Sequence, residues 1–437
     1  MPVTVIAGAQ WGDEAKGKVT DLMAENAEIV ARFNGGDNAG HTVINEYGTF
    51  KLRLIPNGFS NPSATCVIGP GVVVNLATLA EEIQLIQSRG IDLSERLWVS
   101  PRCHVIMPYH SMLETIYENA KGEGRTGTTK RGIGPVYADK VSYNGIRLFD
   151  LQNKAIFSEK LNVQLSVKNP ILEAFGFKAL EASAILREKF EQYEAIQPFV
   201  REPFGLMQTT LAQGANVLLE GAQAALLDTD WGTYPFSTAS TTLSGGANAG
   251  LGIAPHWISR VIGVAKAYTT RVGGGPMPSE LFDSTGQMLI QEGGEYGTVT
   301  GRPRRCGWFD AELVRFTAQL NGFDEVVLTK LDVLDKLPKI KICIGYRNSD
   351  KGSGKGQTEK AFFHYWEGDA SWLEQCEPVY TELDGWRQST KAVREFHRLP
   401  KEAQVYIRKI EELISVPVHL VSVGPARDEI ITVPPLH

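Results

Sequence analysis

Short apolar runs recur along the chain, each a few residues long and rich in β-branched side chains: Val3–Ala7, Ile29–Phe33, Val217–Leu219, Val261–Val264, Val326–Thr329 and Val418–Val421. Continuous apolar runs of this length fit strands buried on both faces, as in a parallel sheet. Between them the period changes. Lys18–Glu25, Ala77–Gln87, Leu180–Tyr193, Ala311–Gln319 and Lys401–Leu413 carry apolar residues at helical spacing. Strands alternating with helices predict an α/β protein with a large central, mostly parallel sheet flanked by helices. No internal repeat or linker divides the chain, so residues 1–437 are expected to form one domain with smaller subdomain insertions. Asp350–Lys360, polar and glycine-rich, reads as a mobile surface loop.

Composition narrows the class. The 437 residues carry 44 Lys and Arg against 50 Asp and Glu, a net charge of −6, which argues against a general nucleic-acid binder. Five cysteines lie far apart with no CxxC pair, which fits free thiols in a reducing compartment. No apolar run reaches the ~18 residues of a membrane span. The first residues carry no basic n-region, so no secretory signal is expected. The expectation is a cytoplasmic enzyme that binds neither nucleic acid nor membrane.

The candidate chemistry sits where strands end. The first strand runs into Gly12-Asp13-Glu14-Ala15-Lys16-Gly17-Lys18, which fits G-x-x-x-x-G-K without the closing Ser or Thr. Strand, loop and helix in that order let backbone N–H groups cradle phosphate, so a P-loop-NTPase-like site is expected. Asp13 offers a hard oxygen in place of the missing hydroxyl. The second strand ends in Asn34-Gly35-Gly36-Asp37-Asn38-Ala39-Gly40-His41-Thr42, where small residues admit a ligand and His41 could act as an acid or phosphate partner. Thr329-Lys330-Leu331-Asp332 is the [NT]-K-x-D pattern by which a carboxylate reads guanine N1–H and N2–H₂, so GTP is favoured over ATP. Arg302, Arg304 and Arg305 read together as an anion clamp. Gly122–Gly127 fits G-x-G-x-x-G but follows a helical segment, so it is not a dinucleotide site.

Gln10–Lys18, Asn38–Thr42, Gly132–Pro135, Glu220–Gln223, Thr300–Arg302 and Thr329–Asp335 stand in an order that resembles the adenylosuccinate synthetase family. The resemblance extends from about residue 3 to Ser422–Pro425. It implies a GTP- and Mg²⁺-dependent ligase joining IMP to L-aspartate through 6-phosphoryl-IMP, and a homodimer. Asp13, His41, Gln223 and Lys16 would be catalytic, with Asp13 and the Gly40 carbonyl holding Mg²⁺. GTP would lie on Gly12, Asp13, Glu14, Ala15, Lys16, Gly17 and Lys18, with Gly40, His41, Thr42 and Arg304. Its base would be held by Lys330, Leu331 and Asp332 and by Ser422, Val423 and Gly424. IMP would contact Asp13, Lys16, Asn38, Ala39, Gly40 and His41, together with Thr129, Gln223, Thr238 and Arg302. Thr298, Val299, Thr300, Gly301, Arg302 and Arg304 would close on aspartate.

Several positions depart from the family pattern. Ala15 and Val299 replace a glycine and a threonine, Ala239 replaces a serine, and Asp37 stands where Asn or His is more usual. Tyr143 replaces an arginine that reaches across the family's dimer to the IMP phosphate. A lost charge-assisted contact to phosphate is worth about 1.5–3 kcal/mol. These changes leave a second reading open, a paralog using the same chemistry on a related 6-oxopurine nucleotide. A third, a non-catalytic GTP-binding protein, is disfavoured by the retention of Asp13 and His41.

Overall fold

The computed structural model describes residues 3–297, 301–348, 362–363 and 370–435. Its centre is a nine-stranded sheet. In chain order the strands are β1 (Val3–Gly8), β2 (Ile29–Arg32), β3 (Thr65–Ile68), β4 (Leu97–Val99), β5 (Val217–Glu220), β6 (Ile258–Lys266), β7 (Glu325–Thr329), β8 (Val418–Ser422) and β9 (Ile430–Thr432). Across the sheet they run β9-β8-β7-β6-β1-β5-β2-β3-β4. Every neighbouring pair is parallel except β8 and β9.

The expected strands are all present, within a residue or two, except that β6 is longer at both ends than its apolar run. Along β1 the side chains alternate between the two faces. Val5 and Ala7 enter one hydrophobic cluster, and Ile6 enters another with Val30, Ile262 and Val327. Both faces are therefore covered, which is why β1 reads as an unbroken apolar run. The expected helices appear as Lys16–Met23, Leu76–Ser88, Ala182–Ile196, Ala311–Asn321 and Lys401–Ile414. Asp310 caps the Ala311 helix by accepting from Leu313 N at 3.2 Å, and Gly322 closes it at φ 65°.

The insertions expected beside the sheet include an antiparallel pair, Lys339–Asn348 with Cys376–Asp384, and a hairpin, His41–Asn45 with Gly48–Leu52. Gly122–Gly124 forms a 3-10 turn after the helix Pro108–Ala120, so the G-x-G-x-x-G match has no strand before it. The five cysteines are buried and unpaired. Among the described residues no helix is long and apolar enough to cross a membrane. The Asp350–Lys360 stretch lies outside the described residues.

Strand order decides where a site can form. β1 is central, β5 separates it from β2, and β6 to β8 continue on its other side. The crevice at the carboxyl ends of such strands is where ligands bind in open α/β sheets. The loops after β1, β2, β5, β7 and β8 carry the motifs read from the sequence.

Candidate active site

The strand-end loops surround a cavity of about 790 Å³. Gly12, Asp13, Ala15, Lys16 and Gly17 line it from the loop after β1, and Asn38, Ala39, Gly40, His41 and Thr42 from the loop after β2. Gln223, Thr129 and Thr238 face it from other segments, and Arg304 and Lys330 close its far side.

The loop after β1 holds an unusual backbone. Asp13 and Ala15 both adopt positive φ, 61° and 68°. Ala15 is the residue flanking the helix Lys16–Met23, with φ and ψ of 68° and 36° in the left-handed region. A methyl group is strained there, so the replacement of glycine noted in the sequence carries a conformational cost. The Glu14 side chain turns away from the cavity, which leaves only its backbone for a nucleotide. The side chain is fully buried, and its carboxylate accepts from Gln10 N (3.2 Å), Gly12 N (2.7 Å) and Lys16 Nζ (2.8 Å). It braces the loop from inside and does not line the cavity. Gly17 is glycine because a Cβ there would stand 2.9 Å from His41 Cβ.

His41 begins the hairpin and is almost wholly buried. Its Nδ1 pairs with Glu220, the last residue of β5. Glu220 also accepts from Asn57 N at 2.8 Å and Asn57 Nδ2 at 2.6 Å. Burial lowers the His41 pKa, and Glu220 opposes that. Burial would raise the Glu220 pKa, yet His41 and Arg32 hold it below the usual range, so the carboxylate is ionised. An ionised Glu220 accepts the hydrogen bond from Nδ1–H and leaves Nε2 without a protein partner among the described residues. Glu220 stands in the Glu220–Gln223 motif read from the sequence but was given no role there. The signal was a carboxylate ending an apolar strand directly before Gly221. Gln223 stands at φ 57°, donates from Nε2 to Asn38 Oδ1 at 3.1 Å, and leaves a buried Oε1 without a partner.

At the far side a network forms that the sequence did not reveal. Glu295 is fully buried and accepts from Lys266 Nζ (3.0 and 2.9 Å), Lys330 Nζ (2.9 Å), Arg304 Nη1 (2.6 Å) and Tyr268 OH. Burial would raise the Glu295 pKa, but Lys266, Lys330 and Arg304 hold it well below the carboxylate range. Arg304 Nε reaches Asp13 Oδ2 at 2.8 Å. This splits the three-arginine clamp. Arg304 turns inward, Arg305 pairs with Glu280 and Gly275 O (2.7 Å), and Arg302 and Gly301 are exposed and are not among the residues lining the cavity. Thr298, Val299 and Thr300 lie outside the described residues.

The motif lysine also corrects its expected place. Lys18 does not line the cavity. Its Nζ donates to Ser422 Oγ (2.8 Å), Gly424 O (2.7 Å) and Glu429 O (3.0 Å), joining the first helix to the loop after β8. Burial pushes its pKa down to about 8. Lys16 is the lysine at the cavity. Leu331 and Val423 are core residues, fully buried, which leaves their backbone for any ligand. Asp332 is half-buried, with its pKa raised by burial. Asp37 is buried beside Arg131 at 3.6 Å, so its added charge faces an arginine. Tyr143, at φ 69°, is 97% exposed on the surface. Lys140, a cation at the same helix end as Tyr143, donates to Pro70 O at 3.2 Å and is not at the main cavity.

A central parallel sheet with a phosphate-type loop, a guanine-type strand end and a paired histidine at one cavity defines a nucleotide-using α/β enzyme. Comparison with known proteins makes this specific. The adenylosuccinate synthetase family model matches residues 5–431. The adenylosuccinate synthetase of Heliobacterium modesticaldum is 46% identical over 432 residues, 99% of each chain, and that of Carboxydothermus hydrogenoformans is equally similar over the same span. The fully ligated adenylosuccinate synthetase of Plasmodium falciparum superposes with a TM-score of 0.91 at 38% identity, covering 99% of this chain and 100% of that one. The chain belongs to the adenylosuccinate synthetase family, ligases that use GTP. The succinoaminodeoxyadenylate synthetase of cyanophage S-2L shares the fold, with a TM-score of 0.62 at 20% identity over 99% and 96% of the chains. With 44–46% identity on the adenylosuccinate synthetase side, the paralog reading is not favoured.

Proposed function

We propose that this site joins IMP to L-aspartate at the expense of GTP, releasing GDP and phosphate, with residues 1–437 acting as one functional unit. The observation that carries this reading is the convergence of Asp13, His41, Gln223 and Lys330 on one cavity. The purine 6-oxo group is a poor leaving group and must be activated. Asp13 takes the N1 proton, so O6 gains nucleophilic character and attacks the γ-phosphorus, and the bond to the GDP oxygen breaks. His41 donates from Nε2 to the developing phosphate charge while Glu220 stabilises the imidazolium. Gln223 Oε1, buried and without a partner, orients the purine edge. The aspartate amine then attacks C6, and phosphate leaves with O6.

Asp13 fits Mg²⁺: its side chain is about a quarter exposed at the cavity that Gly40 also lines, with Oδ2 engaged by Arg304. Mg²⁺ commonly takes one or two carboxylates plus substrate phosphates, so a dedicated cage is not needed. When bound there, Mg²⁺ would neutralise phosphate charge. Lys330 and Asp332, with the 422–424 loop, hold guanine. Asn38, Thr129 and Thr238 hold IMP, and the loop through Thr298–Arg304 receives aspartate. A homodimer and a cytoplasmic setting complete the reading, supported by the resemblance and by the reduced cysteines.

The test is product formation with GTP, Mg²⁺ and aspartate across IMP, dIMP, GMP and dGMP. Efficient adenylosuccinate formation from IMP is expected. Turnover confined to another nucleotide would overturn the substrate assignment.

A further inference from the structure

A structural ion pair needs one cation, yet three cationic side chains meet at Glu295. Lys266 is fully buried behind it. Arg304 and Lys330 are different, since both line the cavity. The Glu295 side chain does not, although its neighbours Gly294 and Tyr296 do. A single carboxylate thus sits behind the cavity wall and holds two wall cations from the rear. Its two oxygens divide the work. Oε1 takes Lys330 Nζ at 2.9 Å, and Oε2 takes Arg304 Nη1 at 2.6 Å, while Lys266 bridges both. Arg304 then reaches Asp13. A continuous path runs from the guanine side, through Glu295, to the carboxylate that acts on the purine.

We propose that Glu295 is the positioning residue that sets Lys330 for the guanine base and Arg304 for the reacting end, with Lys266 as its fixed counter-charge. The proposal rests on the reading of this site as a GTP-dependent ligase, and it goes beyond it by assigning work to a residue that touches no substrate. Lys330 adopts φ 60°, so its direction is already unusual, and its ammonium is held by Glu295 and the Gly293 carbonyl. Free of those contacts the long stem samples many rotamers and no longer presents one surface to a base.

The test compares the wild type, Glu295→Gln and the double variant Glu295→Gln/Lys266→Met by equilibrium GDP binding, IMP binding and thermal unfolding. Removing the charge leaves Lys266 buried and unpaired, so Glu295→Gln is expected to unfold at lower temperature. Removing Lys266 as well is expected to restore much of that loss. GDP affinity is expected to fall at least tenfold in both variants, with IMP affinity within about twofold of wild type. GDP affinity that is unchanged, or that returns with stability in the double variant, would show a purely structural role and overturn the proposal. An equal loss of IMP affinity would also overturn it. If Glu295→Gln does not fold, Glu295→Asp keeps the charge but shortens its reach, and the same GDP-selective loss is expected. GDP binding needs no turnover, so failure of the wild type to make adenylosuccinate would refute the parent reading separately.

Discussion

Among the described residues two buried histidines pair with a carboxylate, His41 with Glu220 and His110 with Asp139, and of the two only His41 lines the cavity. His110 donates from Nε2 to Asp139 Oδ2 at 2.9 Å, and its Nδ1 accepts from Met107 N at 2.9 Å. Asp139 is also held by Lys168 Nζ at 2.7 and 2.8 Å. Every polar valence of that ring is used within the protein. His41 uses Nδ1 on Glu220, its Nε2 has no protein hydrogen bond among the described residues, and the residue lines the cavity. Burial lowers the pKa of both rings, with the carboxylate opposing in each case. Burial and a carboxylate partner therefore do not mark a catalytic histidine. An unspent nitrogen on a cavity-lining residue does.

The same contrast separates two aspartates four residues into the guanine motif and beyond. Asp335 accepts from Trp386 Nε1 (2.8 Å), Thr390 N (2.8 Å) and Thr390 Oγ1 (2.9 Å) and so ties down a loop. Asp332 carries no such set and stays half-buried at the strand end.

The largest expected effect bears on the unspent groups themselves. Asp13→Asn should lower kcat by about 10³ or more while the circular dichroism spectrum and unfolding midpoint stay close to wild type; substantial turnover would remove Asp13 as the base. Next, His41→Asn should cost about 10²–10⁴ in kcat. His110→Asn should instead cost stability, about 2–4 kcal/mol by urea unfolding, with kcat changed only a few-fold. Equal losses of activity in the two histidine variants would break the comparison. Asp332→Asn should weaken GTP by about ten- to a hundredfold, from a lost charge-assisted pair of ~1.5–3 kcal/mol, and let xanthine nucleotides compete. Asp335→Asn should leave nucleotide choice alone and lower stability.

A pH titration sharpens the point for a saturated cation. Lys18 is a charged donor to three oxygens with its pKa lowered to about 8 by burial. The folded value lies below the unfolded ~10.4, so folding releases a proton between the two. From this group, stability should rise with pH across that window. GDP affinity should fall a few-fold over the same window, because a neutral amine has two N–H bonds for three acceptors. Lys18→Met should flatten both trends. The smallest effect is at Ala15. Relieving its left-handed backbone by Ala15→Gly should raise unfolding free energy by about 1 kcal/mol, read from the urea midpoint. No change would mean that position 15 is unstrained.

The sheet was legible where strands are buried on both faces, because β1, β2 and β5 to β8 show as apolar runs. β3, β4 and β9 were not, since Thr65–Ile68, Leu97–Val99 and Ile430–Thr432 are short and lie toward the edges. Loops at strand ends were legible through glycine and charge, and the cavity draws on most of them. Direction was not. Nothing in Gly12–Lys18 says that Glu14 turns inward, that Lys18 leaves for the 422–424 loop, or that Lys16 stays. For Lys18 the outcome depends on partners hundreds of residues away, such as Ser422, while Glu14 turns to Gln10, Gly12 and Lys16 within its own loop. Lys266 and Glu295 were missed, and Glu220 was quoted without a role, because only packing makes each the counter-charge of another group.

In the proposed reaction this cavity phosphorylates the purine O6 before nitrogen enters. It is tested most directly by running the reaction with IMP carrying ¹⁸O at C6 and analysing the released phosphate by mass spectrometry. One ¹⁸O is expected in each phosphate formed together with adenylosuccinate. Unlabelled phosphate would mean that water, not O6, took the γ-phosphoryl group, and would contradict it.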